Sequence, residues 1–91
     1  MTLIKVSSQS KTASVAGSIA GTFREFKRAE IQTIGAGSLN QAMKALILAR
    51  GYLKDDGFDV VFYPEFVDLD FDGRFSIEIK LIIDQLYSFF I

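Results

Sequence analysis

The chain has 91 residues, with 10 Lys plus Arg against 11 Asp plus Glu, 49% hydrophobic and 13% aromatic residues, one Pro and no Cys, His or Trp. That is the size of one domain, too apolar for a disordered chain, and folding should remove roughly two-thirds of its unfolded surface from water. Without thiol or imidazole there is no disulfide framework, no zinc site of the usual ligands and no Ser-His-Asp relay.

Residues 1–5 are too short an apolar start for a signal peptide, and the greasy stretch 81–91 is interrupted by Asp84-Gln85, so a cytoplasmic protein with no membrane span is expected. The near-zero net charge conceals a split. Residues 1–54 hold eight basic and two acidic groups, whereas residues 55–91 hold two basic and nine acidic ones. Either one face of the molecule attracts anions, or the fold interleaves the halves and cancels the field.

Leu3-Ile4-Lys5-Val6-Ser7 reads as a short strand, followed by a polar loop through Ala13. On a helical wheel, residues 15–28 gather Val15, Ala16, Ile19, Ala20, Phe23 and Phe26 on one side, the core stripe of an amphipathic helix. Gly17, Gly21, Arg24 and Arg28 fall on the other side, and two glycines one turn apart suggest that something packs close to that backbone. Residues 29–34, with Ile31 and Ile34, read as a second strand running straight into Gly35-Ala36-Gly37-Ser38-Leu39-Asn40-Gln41. Ser38 and Gln41 have the spacing of a capping box, which starts the second helix at Leu39 and carries it to about Tyr52. Its inward stripe is Leu39, Ala42, Met43, Leu46 and Leu53; Leu48 sits on the polar side, either as a tolerated exposed leucine or as part of a subunit contact.

From Phe58 the period changes to two. Phe58, Val60 and Phe62 alternate, Pro64 interrupts as an edge or bulge residue, and Val67, Leu69 and Phe71 face opposite to Asp68, Asp70 and Asp72. Phe75, Ile77, Ile79, Leu81 and Ile83 continue the alternation, and matching the apolar faces puts Leu69 opposite Ile77 across a three-residue loop. The order is βαβαββ. Residues 1–84 form a single domain and residues 85–91 an apolar C-terminal tail expected to dock on the body or on a neighbouring subunit.

Consecutive parallel strands joined by right-handed crossovers bring both helix N-termini to one sheet edge. Ser8, Ser10, Lys11, Thr12 and Ser14 come from the first connection, and Gly35, Ala36, Gly37, Ser38 and Asn40 from the second; free N–H groups, hydroxyls, an amide and a lysine suit a phosphate oxygen. The plainer alternative is that the glycines only permit the turn and the serines only cap helices. Gly35-Ala36-Gly37 begins like a dinucleotide fingerprint, but Asn40 stands where its third glycine belongs, so no cofactor is expected. Asp68, Asp70, Asp72 and Glu78 on one hairpin face are read as a solvated acidic surface, since a flat strand does not wrap a cation, and no metal is expected. Arg50, near an apolar stripe, is read as an ion-pair partner for a carboxylate of the second half.

At Ser14-Val15-Ala16-Gly17, at Ile34-Gly35-Ala36-Gly37-Ser38-Leu39-Asn40-Gln41-Ala42-Met43-Lys44-Ala45 and at Ala49-Arg50-Gly51-Tyr52, this sequence resembles the bacterial stage V sporulation protein S family, over roughly residues 3–83. The resemblance implies an α+β, Alba-like two-layer βαβαββ sandwich, with two helices packed on one face of a four-stranded mixed sheet. It also implies a non-enzymatic nucleic-acid-binding regulator of sporulation and cell division, working as a homodimer or higher homo-oligomer with no small-molecule substrate. Alba-type proteins meet DNA or RNA with a basic loop after the first strand, the start of the second helix and a long hairpin. Carried over, the loop is Ser10-Lys11-Thr12 and the helix start is Ser38, Asn40, Gln41 and Lys44, while Asp70, Asp72 and a single Arg74 give a hairpin tip that phosphates would repel. With Arg24, Arg28, Gly35 and Gly37, these residues form the expected anion- and nucleic-acid-binding set. The alternative is an assembly module with no direct nucleic-acid contact.

Overall fold

Two parallel strands, each followed by a helix, set the frame. β1 (Leu3–Val6) leads into α1 (Thr12–Phe26) and β2 (Arg28–Ile34) into α2 (Ala36–Asp55); β3 (Val60–Phe71) and β4 (Arg74–Gln85) complete the βαβαββ order. The computed structural model describes residues 3–71 and 74–86, with side chains except at 68–71 and 74–77. The strands form one mixed sheet in the order β1-β2-β4-β3, with β1 parallel to β2 and the other neighbours antiparallel. This is the α+β arrangement expected from the sequence.

Register explains which face the helices cover. Ile4, Ile31, Leu81 and Pro64 lie in one row across the sheet, Val6, Thr33, Ile79 and Phe66 in the next, and Ala29, Ile83 and Phe62 in a third. These rows supply the sheet side of the core, which α1 meets with Val15, Ala16, Ile19, Ala20 and Phe23 and α2 with Ala42, Ala45, Leu46, Ala49 and Leu53. Removing a side chain such as Phe23 or Leu46 from water stabilises the fold by about 1.5–3 kcal/mol. The Phe23 ring also meets Phe58 edge-on, with centroids 5.5 Å apart. The other sheet face is mixed, with polar pairs beside the fully buried Ile82. Lys80 pairs with Glu30 at 3.3 Å, Arg28 with Asp84 at 3.1 Å, and Gln32 donates to a Glu78 carboxylate that is only 3% exposed.

Several expectations need correction. α1 ends at Phe26, because Lys27 takes the left-handed conformation (φ 60°) and donates its N–H to the Phe23 carbonyl. Arg28 is therefore the first residue of β2, and Phe26, expected in the core stripe, is 46% exposed where the chain leaves the helix. Of the two alternatives for Pro64 the edge holds and the bulge does not: β3 is an edge strand, where a proline is tolerated, and it pairs with β4 without a bulge from Val60 to Phe71.

The hairpin register is shifted from the expected one. Asp68 lies opposite Ile77 and Phe71 opposite Arg74, leaving two residues rather than three between the paired positions. The pairing of Phe62 with Ile83 and Phe66 with Ile79 near the core sets the register for the whole hairpin, and an Asp-Gly connection suits two-residue hairpins. Glu78, opposite Val67, consequently shares no face with Asp68 and Asp70. Asp72 and the tail residues 87–91 lie outside the described residues. Among the described residues, no helix is long and apolar enough to cross a membrane.

Candidate functional site at the edge of the parallel strands

Because β1 and β2 run parallel, the loops leaving their C-terminal ends deliver the starts of α1 and α2 to the same edge. The first loop is held by its own polar atoms. Ser10 donates its N–H to the Ser7 carbonyl at 3.1 Å and accepts the Ser7 N–H on its hydroxyl at 2.9 Å, while Gln9 donates its N–H to the Ser7 hydroxyl at 3.1 Å. Such side-chain turns are what Ser-rich loops form in place of ladder bonds.

The second loop is a single glycine. Gly35 adopts φ 91° and ψ 162°, a conformation closed to other residues, and so lets α2 start at Ala36, three residues earlier than the expected capping box. The box itself does not form. Ser38, only 4% exposed, donates its hydroxyl proton backward, shared between the carbonyls of Ile34 (2.9 Å) and Gly35 (3.0 Å). Gln41 instead donates its amide to the Ser10 carbonyl at 2.7 Å, tying α2 to the first loop. Gly37 completes the junction: a Cβ at this position would sit 2.8 Å from the Ser8 Cβ, closer than van der Waals contact allows.

Together the two loops and the strand ends enclose a cleft of about 490 Å³, lined by Lys5, Ser7, Ser8, Gln32, Gly37 and Ser38 along with Val6 and Ile34. Neither helix start has a side-chain cap, and the first turns carry no acidic residue, so their free N–H groups keep the positive end of the dipole unneutralised.

The expected site residues divide. Gly37 and Ser38 line the cleft, Gly35 shapes it, and Ser10 and Gln41 brace it. Lys11 is the exposed N-cap of α1, Thr12 its first residue, and Asn40 and Lys44 lie exposed or half-exposed along the early turns of α2, all outside the cleft lining. Arg24 and Arg28 are at the far end of α1 and the start of β2, away from this edge. Arg24 pairs with Asp56 at 2.6 Å and Arg28 with Asp84. A hydrogen bond with Tyr63, helped by the nearby Asp84 and Glu30 carboxylates, raises the Arg28 pKa. The expected pairing of an arginine with second-half carboxylates therefore occurs, but through Arg24 and Arg28. Arg50 is exposed and makes no ion pair among the described residues.

Three polar cleft residues escaped the sequence reading: Lys5, a polar alternate position of the first strand, Ser7 just after that strand, and Gln32, paired with Lys5 in register. Strand alternation puts Lys5 outward, but only pairing shows that it shares a row with Gln32 beside the loop. Gly17 and Gly21, read as a close-packing surface, have no atom of the other described residues, their own helix aside, within 4 Å of where a Cβ would be, so no described element packs there.

The family model for stage V sporulation protein S (SpoVS) matches residues 2–85.

Proposed function

Since the chain belongs to the stage V sporulation protein S family, we propose that it is a non-enzymatic, cytoplasmic nucleic-acid-binding regulator that holds phosphates at the edge where both helices begin. One observation carries this reading: the uncapped start of α2 opens on a cleft with Lys5 in its wall, and the uncapped start of α1, with Lys11 as its N-cap residue, lies at the same sheet edge. Backbone N–H groups at helix starts and lysine ammonium groups favour phosphate oxygens and do not distinguish bases. Lys44 continues the basic surface down α2. Arg24 and Arg28, already paired with Asp56 and Asp84, belong to the structural frame in this reading.

Few cations at the edge imply weak, salt-sensitive and largely sequence-independent binding. Fluorescence anisotropy with labelled duplex DNA, single-stranded DNA and RNA, at low and physiological salt, tests this. Binding should fall smoothly with salt, and Lys5→Ala, Lys11→Ala and Lys44→Ala should each weaken it for all sequences and reduce the log–log salt slope by about one. Unchanged affinity and slope in all three variants would refute the phosphate edge. Absence of binding to any of the three nucleic acids at low salt would favour the second reading, an assembly module, which draws on the uncovered apolar groove between α2 and β3.

A further inference from the structure

The hairpin of β3 and β4 outruns the rest of the sheet, and it does so at the edge where both helices begin. Ile34, the last residue of β2, lies opposite Glu78, which in turn lies opposite Val67. Because β4 runs antiparallel to β2, residues 68–77 continue past the end of β2 from which α2 starts. Their pairing holds out to Phe71 and Arg74, which carries the arm about 14 Å beyond Ile34 at about 3.4 Å per residue.

This arm is acidic. Residues 68–77 include Asp68, Asp70 and Asp72 against Arg74 alone, with no lysine. Register puts Asp68 and Asp70 on the same sheet face as Phe66, the face over which α2 lies. With β4 between β2 and β3 and neighbouring strands about 4.8 Å apart, these two positions are roughly 10 to 14 Å from the end of β2.

That separation distinguishes one phosphate backbone from two. Exposed charges more than about 8 Å apart are largely screened at physiological ionic strength, so a single strand held at the cleft between β1 and β2 need not feel the arm. In a duplex, a second backbone flanks the first at about 6 Å across the minor groove and about 12 Å across the major groove, and duplex stiffness keeps it there. A duplex backbone seated at the cleft therefore brings another toward Asp68 and Asp70. Charge density alone acts in the opposite direction: a duplex carries one charge per about 1.7 Å of its axis, so a basic edge without the arm favours duplex.

Resting on the phosphate-edge reading above, we infer that the acidic arm makes this edge selective for single-stranded nucleic acid by repelling the second backbone of a duplex. Asp68 and Asp70 are then specificity-determining residues, acting through an unfavourable contact with the wrong ligand.

Fluorescence anisotropy of the full chain at physiological ionic strength tests this, using one labelled oligonucleotide as DNA and as RNA, each alone and annealed to its complement. The single strand should bind about fivefold to tenfold more tightly than the duplex. The Asp68→Asn, Asp70→Asn double variant should tighten duplex binding until it equals or exceeds single-strand binding, with single-strand affinity nearly unchanged. Arg74→Gln, which removes the arm's positive charge, should move the ratio the other way. Glu25→Gln with Asp55→Asn, the same charge change as the double variant but at the far ends of α1 and α2, should leave the ratio alone. Duplex bound as tightly as single strand by the unaltered chain, or a ratio that neither arm variant moves, overturns the inference and leaves the phosphate edge standing. A ratio moved equally by the Glu25 and Asp55 control traces the effect to net charge and also overturns it. Should one arm variant lose its helical circular dichroism, the other decides. Absence of binding to both forms at low salt refutes the phosphate edge itself, and this inference with it.

Discussion

The two flanks of α2 are built on opposite principles. At its N-terminal turn, toward β1 and the first loop, α2 is held by polar bonds and a tight fit: Gln41 bonds the Ser10 carbonyl, Ser38 turns back on Ile34 and Gly35, and Gly37 lies against Ser8 with no room for a methyl group. Toward β3, Leu39 and Met43 face an apolar groove that the described residues leave open, and Ile47 is exposed one turn on. One flank is closed and positions loop atoms, whereas the other keeps apolar surface available. Directional hydrogen bonds fix geometry with little buried area, while apolar surface is non-directional and is stabilised by whatever covers it.

The sharpest way to test that contrast compares neighbours in sequence. Leu46 is fully buried between the flanks and Ile47 is 61% exposed. Leu46→Ala should cost about 2–5 kcal/mol in urea unfolding, and Ile47→Ser should stay within about 0.5 kcal/mol under monomeric conditions. Equal costs would mean that the groove flank is packed in the folded chain. Next in size is a pair of glycines. Gly37→Ala forces a Cβ to within 2.8 Å of Ser8 and should destabilise by about 1–3 kcal/mol, with amide shifts in the first loop. Gly17→Ala, into open space on α1, should stabilise by up to about 1 kcal/mol. If both substitutions stabilise, the two loops are not in close contact. The smallest effect belongs to Gln41→Ala, which removes one bond to the Ser10 carbonyl and should cost about 1 kcal/mol. It should also speed amide exchange in residues 7–10 without altering oligomeric mass; unchanged exchange would show that this bond does not hold the loop.

Periodicity located the core of α1 well. Val15, Ala16, Ile19, Ala20 and Phe23 recur at helical spacing and are all buried. It was weaker for α2, where Ala45 and Ala49 are as buried as Leu46 and Leu53. Alanine carries little hydrophobic signal, so a small-residue helix surface escapes a wheel drawn around leucines. The loop edge was legible as a place, because Gly35 and Gly37 between a strand and a helix mark a sharp turn. Its bonding was not. A capping box at Ser38 and Gln41 satisfies local rules, but Gly35 starts the helix earlier and Gln41 finds a partner 31 residues away.

By itself the sequence determined the order of elements, the amphipathic faces of the helices and the meeting of both helix starts at one edge, all of which follow from local period and from the handedness of parallel crossovers. Tertiary structure alone decided the hairpin register, the partners of Arg24, Arg28 and Gln41, the place of Lys5 and Gln32 in the cleft, and the open groove beside Phe66. Each of these joins residues far apart in the chain. A one-residue slip in pairing exchanges the faces of a strand, and so no local pattern could fix them.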